Sequence, residues 1–179
     1  MMTRSIWTLA LFLLVLHTQA FAAELTVRDP HIRSLELELL DDLQKGAHAS
    51  PTLKALLDRL ETSDVVVYLT FDHAMPAHMA GRVSLMVAVP GRRYLRISID
   101  RRSVGCQRLA ILGHELQHAV EIAEAAEATD QASVASLYRR IGFRSESGLR
   151  ASFDSRLAIE TGQRVSREVL SAPATIATR

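Results

Sequence analysis

The sequence predicts an α+β fold: a small antiparallel sheet of about three strands packed on one central helix, with further helices from both ends of the chain. Three observations carry this expectation. Helical periodicity fills the segments before residue 64 and after residue 102, the β-rich runs cluster between them instead of alternating with helices, and no internal repeat interrupts the order. A length of 179 residues suits a single hydrophobic core.

The first stretch combines Arg4, an apolar run from Ile6 to Leu16 and the small-residue sequence Ala20-Phe21-Ala22, which together read as a secretory signal peptide over residues 1–22. The run falls short of the roughly 20 residues that a spanning helix needs, so cleavage is expected rather than anchoring. Residues 23–179 are then one exported domain, periplasmic or secreted, with no stable membrane insertion. Cys106 is the sole cysteine, so no intrachain disulfide can form. A formal net charge of +1 gives no electrostatic argument for nucleic acid or anionic lipid.

The elements follow in order. "HIRSLELELLDDLQKG" sets Ile32, Leu35, Leu39 and Leu40 on one face and reads as a helix stopped by Gly46. "SPTLKALLDRLETSD" reads as a second helix, with Ser50 as N-cap, Pro51 at the first helical position and a stripe of Leu53, Leu56, Leu57 and Leu60. "DVVVYLTF" is β-branched and aromatic without helical period, as a buried strand is. "RVSLMVAV" and "RRYLRISID" flank Pro90-Gly91, whose order suits a type II turn between antiparallel strands with Val83, Leu85, Val87 and Val89 inward. The second of these strands interleaves Arg93, Tyr94, Arg96 and Ser98 with apolar residues, which reads as a solvent-facing edge open to a peptide. Helices are predicted from about Ser103 to Ala125, from Asp130 to Arg140, and from Ser152 to Leu170.

The helix containing "ILGHELQHAVEIAEA" carries the chemistry. Histidines four apart lie on one helical face, so His114 and His118 can offer two imidazole nitrogens to one point. Catalytic zinc takes three protein ligands and keeps its fourth position for water, and Glu115 stands beside that position as a general base. Leu112, Leu116, Ala119 and Val120 form the stripe that holds the helix on the core. A core helix with two unpaired imidazoles is costly unless something satisfies them, which favours a metal over an ordinary amphipathic helix.

With these residues the chain resembles the zincin metallopeptidases, in their smallest, gluzincin-like form. "GHELQHA" together with "LYRRIGF" also looks like small exported bacterial proteins of uncharacterised function. The resemblance implies one Zn²⁺ held by His114 and His118, Glu115 deprotonating its water for attack on a peptide carbonyl, and a peptide or protein substrate paired with the edge strand around Tyr94 to Ile99. The metzincin pattern of a following glycine and third histidine is absent from "HAVEIAEAAEATD". The gluzincin pattern takes an acidic residue from a later helix, where "SFDSRLAIETGQRV" offers Asp154 and Glu160. Asp154 is the expected third ligand, and Glu121 is the alternative, on the same helical face but about 10 Å from His114 along the axis. As the alternative to ligation, Glu121 orients His118.

Other candidates read more plainly. Glu124 and Glu127 belong to a solvated face, His73 and His78 to a polar loop, Tyr138 to helix packing rather than carbonyl polarisation, and Cys106 to the buried interior. Gly113 suits either a close approach of strand to helix or a tolerated glycine within the helix. The leading expectation is an exported zinc metallopeptidase. The competing one is a non-catalytic exported metal-binding or interaction domain on the same scaffold, whose metal would be closed off by a fourth protein ligand.

Overall fold

In the computed structural model, which describes residues 30–145 and 152–173, the β-rich middle of the chain becomes the floor of the molecule. The predicted leader, residues 1–22, lies outside the described residues. Strands β1 (Ile32–Ser34), β2 (Val65–Asp72), β3 (Gly81–Val89) and β4 (Arg92–Asp100) form one sheet in the order β1-β2-β4-β3. Helices α1 (Leu37–Ala49), α2 (Pro51–Glu61), α3 (Gly105–Glu124), α4 (Gln131–Ile141) and α5 (Arg156–Ser171) complete the α+β class that the sequence predicts. A two-stranded ribbon, β5 (Phe143–Ser145) with β6 (Ser152–Asp154), precedes α5. Among the described residues no helix is long and apolar enough to cross a membrane.

The sheet corrects the expectation in two respects. It is mixed rather than antiparallel: β3 and β4 form the expected hairpin, with Gly91 at φ +76° in its turn, but β4 inserts between β3 and β2 and pairs parallel with β2. β4 is therefore central, and β3 is the edge. Of the polar residues that suggested a solvent-facing β4, Arg96 is exposed and Tyr94 half-buried, but Arg93 and Ser98 are buried. Arg93 is 4 % exposed; its guanidinium donates twice to Asp64 at 2.7 Å and to the carbonyls of Ile122, Ala123, Ala125 and Ala128 at the end of α3. Ser98 lies among Ile97, Ile99 and Asp100, all buried. A bulge between Leu85 and Val87 adds Met86 to β3, so Val87 and Val89 turn half-exposed instead of inward.

The N-terminal segment differs as well. Its first residues form β1, parallel to β2, rather than the first turns of a helix. Gly46 does not stop α1 but lies buried within it, where a Cβ would come within 2.6 Å of Leu53 and 2.8 Å of Leu109. The helix ends instead at the Ser50 cap of α2, whose hydroxyl accepts the Leu53 N–H at 3.0 Å, as the Ser-Pro sequence predicts.

α3 runs through the centre. Leu112, Leu116, Ala119, Val120 and Ile122 bury one side against the sheet and α2, while α5 covers another. Gly162 of α5 sits where a Cβ would lie 2.9 Å from the Ala110 carbonyl oxygen and 3.2 Å from His114 Cβ. Gly113 faces Val165 of the same helix, so the close approach it permits is helix to helix and not strand to helix.

Candidate metal centre

The two histidines leave α3 one turn apart with ring centroids 4.8 Å from each other and their planes nearly perpendicular. Asp154 meets them from the last position of β6, two residues before the helix in which the sequence placed it. Its Oδ1 lies 3.4 Å from His114 Nε2 and 3.4 Å from His118 Nε2. The three donor groups lie within 4.8 Å of one another. Donors about 2.0–2.1 Å from a tetrahedral ion sit roughly 3.3 Å apart, so the two imidazole–carboxylate separations fit a zinc-sized ion. Among the described residues no fourth His, Cys, Asp or Glu joins this group.

Why Asp154 reaches this point is written in the residue after it. Ser155 caps α5 by accepting the Ala158 N–H at 3.0 Å, and its own N–H holds Asp154 Oδ1 at 2.7 Å. The Ser155 hydroxyl also donates to Glu121 Oε1 at 2.6 Å. Glu121 Oε2 in turn accepts from His118 Nδ1 at 2.8 Å, which leaves Nε2 as the nitrogen facing Asp154. Glu121 thus takes the orienting place of the two roles the sequence allowed it, and it stands on the far side of the ring from the donor cluster. Ser155 was absent from the sequence reading as a partner of Glu121. Its signal was the N-cap pattern before α5, but nothing local joins that cap to a residue 34 positions earlier.

Tyr138 packs edge-on against the His118 ring at 5.2 Å and donates its hydroxyl to the His118 carbonyl oxygen at 3.2 Å, the packing role. Glu160 is exposed on α5 and does not reach the cluster. Glu124 and Glu127 are exposed and pair with Arg59 and Arg140. His73 and His78 are exposed, with His78 at the rim of the cleft; Cys106 is half-buried, at the margin of the interior.

Electrostatics separate the roles of these groups. Burial, then the neighbouring His118, lowers the His114 pKa and favours its neutral, ligating form. Burial also acts to lower His118, but Asp154 and Glu121 outweigh it and raise that imidazole to about 9. Burial works to raise Asp154; its contact with His118 and the charges of both rings hold it below the ordinary carboxylate value. Glu115, 5 % exposed, is pushed up by burial to about 7, with the His118 charge opposing. Its carboxylate rests on the start of β3, where a Cβ on Gly81 would come within 2.7 Å of Oε1. Gly81 is therefore a site residue that the sequence did not single out.

The cluster opens into a cleft of about 770 Å³ between β3, α3, α4 and α5. β3, not β4, borders it, which moves the expected peptide-pairing edge from Tyr94–Ile99 to the strand on the other side of the hairpin. No family model, curated protein or solved structure matches the chain.

Proposed function

We propose that the protein is a zincin-like metallopeptidase, exported if residues 1–22 act as the leader they resemble. The observation that carries this reading is the convergence of His114 Nε2, His118 Nε2 and Asp154 Oδ1 at one point, with a buried glutamate next to it, in a cleft bordered by an unpaired sheet edge. His114, His118 and Asp154 would hold the ion. Zinc bound there supplies Lewis acidity, which polarises a carbonyl and acidifies water.

The remaining chemistry belongs to the chain. A carboxyl near pKa 7 is suited to take a proton at neutral pH and return it, so Glu115 accepts the proton of the attacking water and delivers it to the departing amine. Glu121 fixes the His118 ring through Nδ1, and Ser155 fixes Glu121. The edge of β3 offers main-chain groups to an extended substrate.

Glu115→Gln tests the assignment. It is expected to keep one zinc per chain and to lose peptide cleavage by at least about 10²-fold. A variant that cleaves at the native rate rejects Glu115 as base. Native protein that binds zinc and cleaves none of a broad peptide mixture supports the non-catalytic metal-binding reading instead.

A further inference from the structure

Gln131, the first residue of α4, reaches across the cleft and donates its side-chain amide to the Leu85 carbonyl oxygen on β3 at 2.6 Å. That oxygen belongs to the open edge. Ala80 accepts from the Asp100 N–H, so the even-numbered residues of the β3 pairing face β4, and Gly81, Val83 and Leu85 turn their N–H and C=O groups outward. Among the described residues the outward groups of Gly81 and Val83 have no hydrogen-bond partner. The Gln131 amide sits where the main-chain N–H of an added strand would sit. Directly beyond it, the bulge at Leu85/Val87 breaks the regular register of the ladder.

The two ends of this open edge differ in surroundings. At Gly81 it touches the Glu115 carboxylate and Ile111. Toward Leu85 the face of α4 that carries Gln131 also brings the apolar Val134 and Ala135 to the lining of the cleft.

We propose that Gln131 is a main-chain stop: an extended peptide pairs antiparallel with Gly81 and Val83, its amino-terminal portion halts at the Gln131 amide, and an apolar side chain near that end packs between β3 and α4. The proposal rests on the peptidase reading and adds its substrate class, a peptide with few residues on the amino-terminal side of the cleaved bond. Antiparallel pairing lets one peptide residue exchange both hydrogen bonds with Val83, and it puts the carbonyl to be attacked on the Glu115 side.

The test uses binding as well as turnover. Calorimetry on the zinc-loaded Glu115→Gln chain is run against peptides with an Ala-Phe-Ala-Ala core, lengthened one alanine at a time at the amino end or, as the control, at the carboxyl end. Amino-terminal lengthening is expected to weaken binding about tenfold once the peptide passes the stop, with no such limit at the other end. Adding Gln131→Ala should remove that limit while zinc content and melting temperature stay the same, and replacing Phe by Lys should weaken binding in both proteins. Equal length dependence with and without Gln131, a limit at the carboxyl end, or no binding of any peptide overturns the proposal. A Gln131-dependent limit in binding together with native protein that cleaves none of the peptides keeps the stop and rejects the peptidase reading. Cleavage without the limit does the reverse.

Discussion

Glu121 touches the donor cluster through His118 without belonging to it. Its two oxygens connect His118 Nδ1, 2.8 Å away, to the Ser155 hydroxyl, 2.6 Å away, and Ser155 in turn holds Asp154. Asp154 and then Glu121 outweigh burial and raise His118 to about 9, so an ion held there would displace a proton from it at neutral pH. Zinc affinity is therefore expected to rise about tenfold per pH unit between pH 7 and 8.5, with close to one proton released per ion, measurable by calorimetry in buffers of different ionisation heat. Glu121→Gln should flatten that slope and weaken binding about 10–100-fold. An unchanged slope in the variant would remove Glu121 from this role. Stability of the metal-free chain follows the opposite sign. The folded-state pKa values of His118 and Glu115 are both raised, so their contributions are fully present below the unfolded values and are lost as pH climbs through about 7 for Glu115 and about 9 for His118. Asp154, held low, contributes above its unfolded value and loses that contribution in acid.

At the scale of elements, the centre depends on how closely α3 and α5 approach and on where α3 ends. The Arg93 guanidinium gathers the carbonyls of Ile122, Ala123, Ala125 and Ala128, closing the C-terminus of α3 with a buried cation beside the exposed end of Asp64. The approach of the two helices is set by glycines. Gly162→Ala would push a methyl into the Ala110 carbonyl oxygen at 2.9 Å and against His114 Cβ at 3.2 Å, and backbone cannot yield as a side chain can. It is expected to cost about 2 kcal/mol or more in urea unfolding and to weaken zinc binding, because His114 is displaced. Gly113→Ala meets a Val165 methyl at 2.7 Å and gains helix propensity, so its cost should be smaller. The reverse ranking would mean that the helices separate more easily than this contact implies.

For the whole molecule, the donors tie together parts that are far apart in sequence: His114 and His118 in the central helix, Asp154 at the start of the C-terminal one. An ion at a thousandfold excess over its dissociation constant adds about 4 kcal/mol to the folded state. Zinc should then raise the melting temperature of the chelator-stripped protein by about 10 °C, with slowed hydrogen exchange at β6 and the first turn of α5. His118→Ala should show neither effect. A zinc-dependent rise as large in that variant as in the native chain would place the ion elsewhere.

The parts of this protein legible in its sequence are those set by near neighbours. Period and turn chemistry gave the strands β2, β3 and β4, the Ser50-Pro51 helix start and the Pro90-Gly91 turn, and a four-residue spacing put His114 and His118 on one face of α3. Asp154 was within reach because the gluzincin resemblance implies an acidic residue from a later helix, where "SFDSRLAIETGQRV" offers Asp154 and Glu160. Tertiary packing decided the rest, through contacts between residues in different elements. Arg93 looked solvent-facing because its partners, Asp64 and the end of α3, are invisible to local pattern, and that misplaced the sheet edge. Gly46 looked like a helix stop because the Leu53 and Leu109 side chains it makes room for lie in other helices. The bond of Glu121 to His118 Nδ1 is within one helix, but its bond to Ser155 comes from the far end of the chain, and which neighbours share a side chain's hydrogen bonds decides how its oxygens point.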